Sequence, residues 1–396
     1  MTVSLIGLGA SENTLTAAAL SALRGAQRVV GAKRLLQSLP ACCTAGQKQA
    51  VRTEDVLRAV LEAQGENVCV VFSGDTGFYS GAAALLPALQ ANGITPQVYP
   101  GVSSVQLLAA ALGTPWQNWI LASAHGRECD PVRLVMGEKP VFFLTGGENG
   151  AAALCERLTQ AGLGALLVTA GEELGLPGQR VHTAPAAEMA QAVLSPLCVL
   201  LVQPALCPDT YGTAIPDEAF VRGGVPMTKQ LVRAAILAEL RPGKNSVCWD
   251  VGAGTGSVSV ALSRAAGEVY AVECEEEGCA LIQKNREKFG AWNLRLVPGK
   301  APEALQGLPA PDCVFIGGSK GKMKAILQAA LGANPAVRVC AAAIALETLH
   351  AACSAMQEAG LQPEISQVAV SRARAAGSLH LMMAQNPVFL LTGQKS

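Results

Sequence analysis

Residues 249–257 read WDVGAGTGS: an apolar run that stops at Val251, glycines at 252, 254 and 256, then a helical pattern without a pause. A strand passing through such a turn into a helix commits this half of the chain to an α/β sheet. Glycine adopts backbone conformations that other residues resist and lets a ligand approach the main chain. In open α/β sheets that ligand lies beyond the carboxyl ends of the strands. Around the turn, apolar runs alternate with helical periodicities. They predict helices over 229–240, 257–266, 276–289, 302–305, 320–331 and 347–359, and strands over 246–251, 268–272, 294–297, 313–316 and 338–345. Two late β runs near 367–370 and 379–386 close the chain as a hairpin. The order is that of a doubly wound, Rossmann-like sheet.

The glycine spacing is GxGxG, whereas the dinucleotide fingerprint is GxGxxG and offers a helix N-terminus to a pyrophosphate. An acid just ahead, Asp250, suits a positively charged, phosphate-free ligand. S-adenosylmethionine, with a sulfonium and an α-amino group, fits that description. Glu273, in YAVEC at the end of the next strand, is placed to hold both hydroxyls of a ribose. A dehydrogenase would use the same acid, so a nicotinamide-dependent reductase stays open on this residue alone. After the fourth strand stands FIGGSKG, at 315–321, rather than the Pro-Pro-aromatic element usual in enzymes that methylate base amines. The run Lys320, Lys322, Lys324 can hold an anionic substrate or form a solvated helix start. Arg222, Lys229 and Arg233 read the same way, as cations near the mouth of a cleft.

Composition narrows the function classes. The chain has 30 Lys and Arg against 30 Asp and Glu, which disfavours a nucleic-acid coat held by excess cations. Aromatic residues make up 4%, too few for a base-stacking platform. Thirteen cysteines, an odd number and mostly inside apolar runs, read as small buried hydrophobes in a reducing, cytoplasmic setting, with no metal knuckle among them. Residues 76–126 carry no charge, but Pro87, Gly93, Pro96, Pro100, Gly113 and Pro115 cut the stretch into pieces too short to span a membrane.

The chain divides in two. Up to Thr210 there are 12 basic and 15 acidic residues, and from Tyr211 onward 18 and 15. The polar, Pro/Gly-bearing stretch 207–217 reads as a linker between domains over 1–206 and 218–396. In the first half, strands are expected over 3–8, 68–73, 97–99, 119–122, 141–144, 165–169 and 197–202. Helices are expected over 14–23, 53–63, 81–91, 103–112, 150–161 and 186–193. SLIGLGAS, VFSGDTGFYSGA, VYPGVSSVQLLAAALGTPW and SAHGR each end a strand in a turn of small residues. Asp75 and Tyr79 are polar groups in an apolar neighbourhood. Ser103 and Ser104 open a helix, where one of them serves as N-cap. No nucleophile and base are legible together among His125, His182, His350 and His380.

The second-half run VRGGVPMTKQLVRAAILAEL, with WDVGAGTGSVSV, AVECEEE, VPGKAPEAL and FIGGSKG, resembles the carbon-15 methyltransferase/decarboxylase family of cobalamin biosynthesis. The resemblance implies a class I methyltransferase fold with S-adenosylmethionine held by Thr228, Gly252, Gly254, Thr255, Gly256, Glu273 and Ala301. Lys300 stands where that family usually has an Asp able to accept the adenine amino proton. On the substrate side, Arg222, Lys229 and Lys320 are the candidates for the acceptor's carboxylates.

The first half, with GDTGFYS and PGVSS, resembles the tetrapyrrole methylases, in particular carbon-5 methyltransferases of the corrin pathway. That implies two α/β subdomains with S-adenosylmethionine in a trough between them, against Gly7, Gly9, Gly74, Asp75, Phe78, Ser103 and Ser104. Ala10 and Ser11 stand where Pro-Gly is common. The two halves in this order resemble the fused precorrin-6Y C5,15-methyltransferase (decarboxylating) family. It implies one methyl donor per domain, a tetrapyrrole substrate methylated at carbons 5 and 15, loss of the ring-C acetate carboxyl, and neither nucleic acid nor membrane as partner. The free edge of the late β runs can pair with a second copy, so a homo-oligomer is expected. A tetrapyrrole methylase fused to an RNA methyltransferase and a non-catalytic tetrapyrrole carrier are the remaining alternatives.

Overall fold

The structure is a computed structural model, describing residues 2–126, 129–147, 150–205 and 211–395. Arg127 of the SAHGR run and residues 207–210 of the expected linker lie outside the described residues. The chain forms two compact units, Met1–Pro131 with Glu138–Pro204, and Val132–Gly137 with Ala205–Ser396.

The first unit holds two five-stranded sheets. One contains β1 (Val3–Gly7), β2 (Arg28–Gly31), β3 (Gly46–Gln49), β4 (Val68–Phe72) and β5 (Gln97–Tyr99), all parallel, in the order β3-β2-β4-β1-β5. Central strands of a parallel sheet are covered on both faces and read as unbroken apolar runs. VSLIG and VCVVF are such runs. Leu5 and Val70 pack beneath helices Thr53–Leu61 and Ala82–Ala91, while Ile6 and Val71 face Ala17–Arg24 and Lys33–Gln37. Thr16 caps Ala17–Arg24 by accepting the Ala19 N–H at 3.1 Å.

The second sheet takes β6 (Ile120–Ser123), β7 (Val141–Leu144), β8 (Leu167–Glu172), β9 (Arg180–Pro185) and β10 (Cys198–Val202) in the order β6-β7-β10-β8-β9. Only β6 and β7 run parallel. Strands β2, β3 and β9 carry no prediction. β3 (GQKQ) is an exposed edge strand and β9 (RVHTAP) a mostly exposed one, so neither shows an apolar period; β2 (RVVG) has a single apolar pair.

The second unit is one seven-stranded sheet with helices on both faces. Its strands are β11 (Val247–Val251), β12 (Glu268–Glu273), β13 (Leu294–Pro298), β14 (Cys313–Ile316), β15 (Arg338–Ala343), β16 (Glu364–Val368) and β19 (Val388–Gly393). The order is β13-β12-β11-β14-β15-β19-β16, with β19 antiparallel to both neighbours. β17 (Ser371–Ala376) and β18 (Leu379–Ala384) form a separate hairpin, exposed along its whole length. The expected two-run ending is therefore corrected. β19 is a further strand whose Leu390 and Leu391 are buried, and it closes the sheet between β15 and β16. Winding runs outward from β11 to β13, then resumes on the other side at β14. The switch point opens a cleft at the carboxyl ends of β11 and β14. Among the described residues no helix is long and apolar enough to cross a membrane.

Candidate functional site

β11 ends at Val251, and Gly252, Gly254 and Gly256 follow at φ 74°, 58° and 75°. Two of these glycines are also required by close packing. A Cβ on Gly252 would lie 2.6 Å from the Gly318 carbonyl oxygen on the loop after β14, and one on Gly256 would lie 3.0 Å from Ile282. The glycine loop is thus pressed between the β14 loop and helix Glu276–Lys288.

Glu273, at the end of β12, is almost buried. One carboxylate oxygen accepts the Gly254 N–H at 2.7 Å; the other accepts the N–H groups of Cys274 at 2.7 Å and Glu275 at 2.9 Å. The acid therefore ties the glycine loop to the second strand, and the oxygen that meets Gly254 retains acceptor capacity for a further donor. Its neighbours in the acidic run hold other loops. Glu277 accepts the Gly224 N–H at 2.6 Å, and Glu275 pairs with Lys320.

Asp250 is completely buried. The Ser259 hydroxyl donates to one oxygen, and the other has no partner. Burial pushes this carboxyl up to about 7, and the nearby Glu273 pushes the same way against the Ser259 hydrogen bond. A buried carboxyl with an orphaned oxygen, beside a second carboxylate, ionises more readily when a cation stands close by.

Two residues whose role no local pattern announced position the PMTK segment, the run ahead of it and the glycine loop. Arg233 donates to Asp217 at 2.8 Å and to the carbonyls of Thr228 and Ile215, with its guanidinium 4.7 Å from the Phe220 ring centre. It is 1% exposed, so its reading as a cation at the cleft mouth is corrected. Desolvation lowers its pKa, and the Asp217 carboxylate opposes that. Asn285, fully buried, donates to the carbonyls of Val221 and Thr255 at 3.0 and 2.9 Å and accepts the Val221 N–H at 2.8 Å. Neither was legible because each works through backbone groups distant in sequence.

These elements enclose a cavity of about 1680 Å³. Thr228, Lys229, Asp250, Gly252, Gly254, Glu273, Lys300, Ala301 and Lys320 are among its walls. Arg222, Thr255 and Gly256 are not. Arg222 donates to the Asp217 carbonyl at 3.0 Å, and Thr255 and Gly256 lie behind the loop. Of the lysine run, Lys320 and Lys322 reach the cavity, while Lys324 pairs with Glu358 at 2.7 Å. The volume exceeds the roughly 300–1,000 Å³ of a single small-ligand pocket.

In the first unit, loops from β1, β4 and β5 converge. A Cβ on Gly7 would lie 2.5 Å from the Gly74 carbonyl oxygen, and one on Gly101 only 2.2 Å from the same atom. Gly9 and Gly74 exchange two backbone hydrogen bonds of 3.1 Å. Asp75 accepts the Gly77 and Gly101 N–H groups at 2.8 and 3.0 Å, so it fastens this junction. Phe78 packs on Phe142 of β7, with ring centres 6.0 Å apart, and the Tyr79 hydroxyl donates to the Leu121 carbonyl of β6 at 2.9 Å. Ser103 stands at the N-cap of helix Ser104–Leu112, its N–H donating to the Gln106 side chain at 2.8 Å. Gly7, Gly9, Gly74, Asp75 and Ser103 thus come together; Phe78 joins one sheet to the other.

Comparison with known proteins reaches both units. Residues 2–190 match the model of the tetrapyrrole (corrin/porphyrin) methylases, and residues 218–395 that of the precorrin methyltransferase domain. A precorrin-6Y C(5,15)-methyltransferase (decarboxylating) of Sinorhizobium is 35% identical over 283 residues, 69% of this chain and 67% of that one. The chain belongs to the precorrin-6Y C5,15-methyltransferase (decarboxylating) family. A probable cobalt-precorrin-6B C(15)-methyltransferase (decarboxylating) of Pyrobaculum calidifontis is 45% identical over 188 residues, 46% of this chain and 96% of that one. The solved precorrin-6Y C5,15-methyltransferase of Geobacter metallireducens is 34% identical, with a TM-score of 0.44, over 46% of this chain and 97% of that one. The class I order of the second unit and the paired sheets of the first are the architecture expected of this family.

Proposed function

We propose that this chain transfers methyl groups from S-adenosylmethionine to carbons 5 and 15 of precorrin-6B or its cobalt form and decarboxylates the ring-C acetate. The first unit serves carbon 5 and the second carbon 15 and the decarboxylation, with one donor site in each. The carrying observation is the second-unit cavity, where Asp250 and Glu273 provide an anionic floor and the space beyond admits a second, larger molecule.

When bound, the donor supplies an electrophilic methyl on a sulfonium. Asp250 and Glu273 receive its positive charge and its ribose hydroxyls; Thr228, Gly252, Gly254 and Ala301 shape the walls. The acetate carbon–carbon bond breaks as carbon dioxide leaves, and its electron pair moves into the adjacent conjugated imine. The enamine carbon so formed would be the nucleophile for the methyl that a bound donor would supply, with the donor leaving as its neutral thioether. Alignment then supplies most of the rate, up to roughly 7–11 kcal/mol for well-oriented reactants; the proton that leaves the methylated meso carbon balances the one gained by the methylene left after decarboxylation. In the first unit, Gly7, Gly9, Gly74, Asp75, Phe78, Ser103 and Ser104 frame the corresponding donor site. The enzyme works in the cytoplasm without nucleic acid.

Mass spectrometry of precorrin-6B treated with purified protein and donor tests the reading. A gain of two methyls with loss of one carbon dioxide is expected; unchanged substrate overturns it. We also assign a homo-oligomer, paired through the hairpin that exposes Leu379, Leu381, Met382 and Met383. Light scattering at the 40.7 kDa of one chain would contradict it.

Asp250 makes donor binding pH-dependent. Its raised value keeps it protonated in the free site below about pH 7, whereas a docked cation favours the ionised form. Donor affinity therefore rises with pH up to about 7, by at most about tenfold per unit, and binding releases a proton. The sign for folding is opposite. Between 3.8 and about 7 the folded unit holds a proton that the unfolded chain has lost, so the free protein loses stability as pH rises through that window. Titration calorimetry in buffers of different ionisation enthalpy should detect the released proton, and Asp250→Asn should abolish it.

A further inference from the structure

The outer rim of the second-unit cavity has two kinds of wall. β14 and β15 are parallel neighbours, so the loops leaving their carboxyl ends lie side by side. From β15 the chain passes through Ile344, Ala345 and Leu346 into helix Leu346–Glu358. Ile344 and Ala345 line the cavity, and Ile344 and Leu346 are 63% and 68% exposed. Large aliphatic side chains left in water beside a cavity form a shelf for an apolar face. From β14 the chain carries Lys320 and Lys322 to the same rim. Lys320 sits at φ 45°, a left-handed conformation that a residue with a side chain rarely takes. Its ammonium meets the Glu275 carboxylate, which stands on the loop after β12 and also lines the cavity.

We propose that this rim is the acceptor site: the flat macrocycle rests on Ile344 and Leu346, and Lys320 leaves Glu275 to take one of its peripheral carboxylates. The assignment rests on the proposed function and gives it a substrate geometry. A reduced tetrapyrrole has apolar faces and an anionic edge, and the rim offers an apolar shelf bounded by cations. The Lys320–Glu275 pair holds the ammonium in place while the site is open. Glu275 competes with the acceptor for that ammonium, so a substrate carboxylate binds by displacing it, an exchange that a neutral acceptor cannot make. Lys324, paired to Glu358 and outside the cavity, takes no part.

The test compares wild type with Lys320→Met, Ile344→Asp and Glu275→Gln, all changes at exposed side chains. Two readouts are needed: KM for precorrin-6B in carbon-15 methylation beside the KM for donor, and Kd for uroporphyrin III, a stable polycarboxylate macrocycle, by fluorescence. Lys320→Met and Ile344→Asp should each raise the acceptor KM and the uroporphyrin Kd about tenfold while the donor KM holds. Glu275→Gln frees the ammonium and should lower both acceptor constants. Lys320→Met with acceptor constants within about twofold of wild type, or Glu275→Gln weakening the acceptor as much as Lys320→Met, overturns the assignment. The first unit is identical in all four proteins, so differences report on the rim. A wild type that binds uroporphyrin through Lys320 yet transfers no methyl overturns the function and leaves the rim standing.

Discussion

Gly252→Ala should abolish methylation at carbon 15 and the decarboxylation, while methylation at carbon 5 continues. Position 252 has φ 74°, where an L-residue with a side chain costs about 1–2 kcal/mol. The added Cβ would also lie 2.6, 2.7 and 2.8 Å from the carbonyl oxygen, nitrogen and Cα of Gly318. All three are main-chain atoms, so no flexible side chain can swing aside. The loops after β11 and β14 must separate, adding about 1–3 kcal/mol of overpacking strain. Those loops form part of the cavity wall, so donor affinity of the second unit should fall by about a hundredfold or more. Gly307→Ala is the control. Gly307 has φ 77° with nothing within 4 Å of a Cβ, and it lies off the cavity, so only the backbone strain remains. Donor titration with product masses for both variants checks the expectation. Intact carbon-15 chemistry in Gly252→Ala would show that the β11 and β14 loops can part without cost to the site.

Arg233→Leu should destabilise the second unit by about 3–5 kcal/mol, because it breaks an ion pair and strands two main-chain carbonyls, while Asp217 keeps only the Gln230 N–H at 2.8 Å. The guanidinium serves Asp217 and the carbonyls of Thr228 and Ile215 at once, from a position 1% exposed. Lysine cannot replace it, since an ammonium lacks the planar fork that meets several acceptors in fixed directions. Arg233→Lys should therefore recover little. Asp217→Asn combined with Arg233→Leu should recover part of the loss by removing the stranded charge. Chemical denaturation followed by a probe in the second unit measures all three. The same variants should raise the donor KM, because Thr228 stands on the segment that Arg233 holds.

Some of this was legible because the signal is local. WDVGAGTGS encodes a strand end, a turn and a helix start within nine residues, and Glu273 follows at the end of the next apolar run. Gly74 and Asp75, with Ser103 ahead of its helix, were legible for the same reason. Arg233 was not. A cation four positions after Lys229 looks like surface charge, and only burial against Phe220 reveals a clamp. The lysine run reads as one patch, yet the helix start sends Lys320 and Lys322 to the cavity and Lys324 to Glu358. β3 and β9 escaped notice because sheet edges need little apolar surface, and β19 because its place depends on partners far away in the chain.

The order of amino acids by itself determined the α/β class, the glycine turns and the acids beside them, because each depends on propensities within a few residues. Only the tertiary structure decided which cations are buried and which face the cavity. It also decided that Gly252 must accommodate Gly318, that Asp75 fastens loops, and that β19 closes the sheet. Those outcomes depend on groups brought together across tens of residues, where burial and hydrogen-bond satisfaction, rather than local preference, set the free energy.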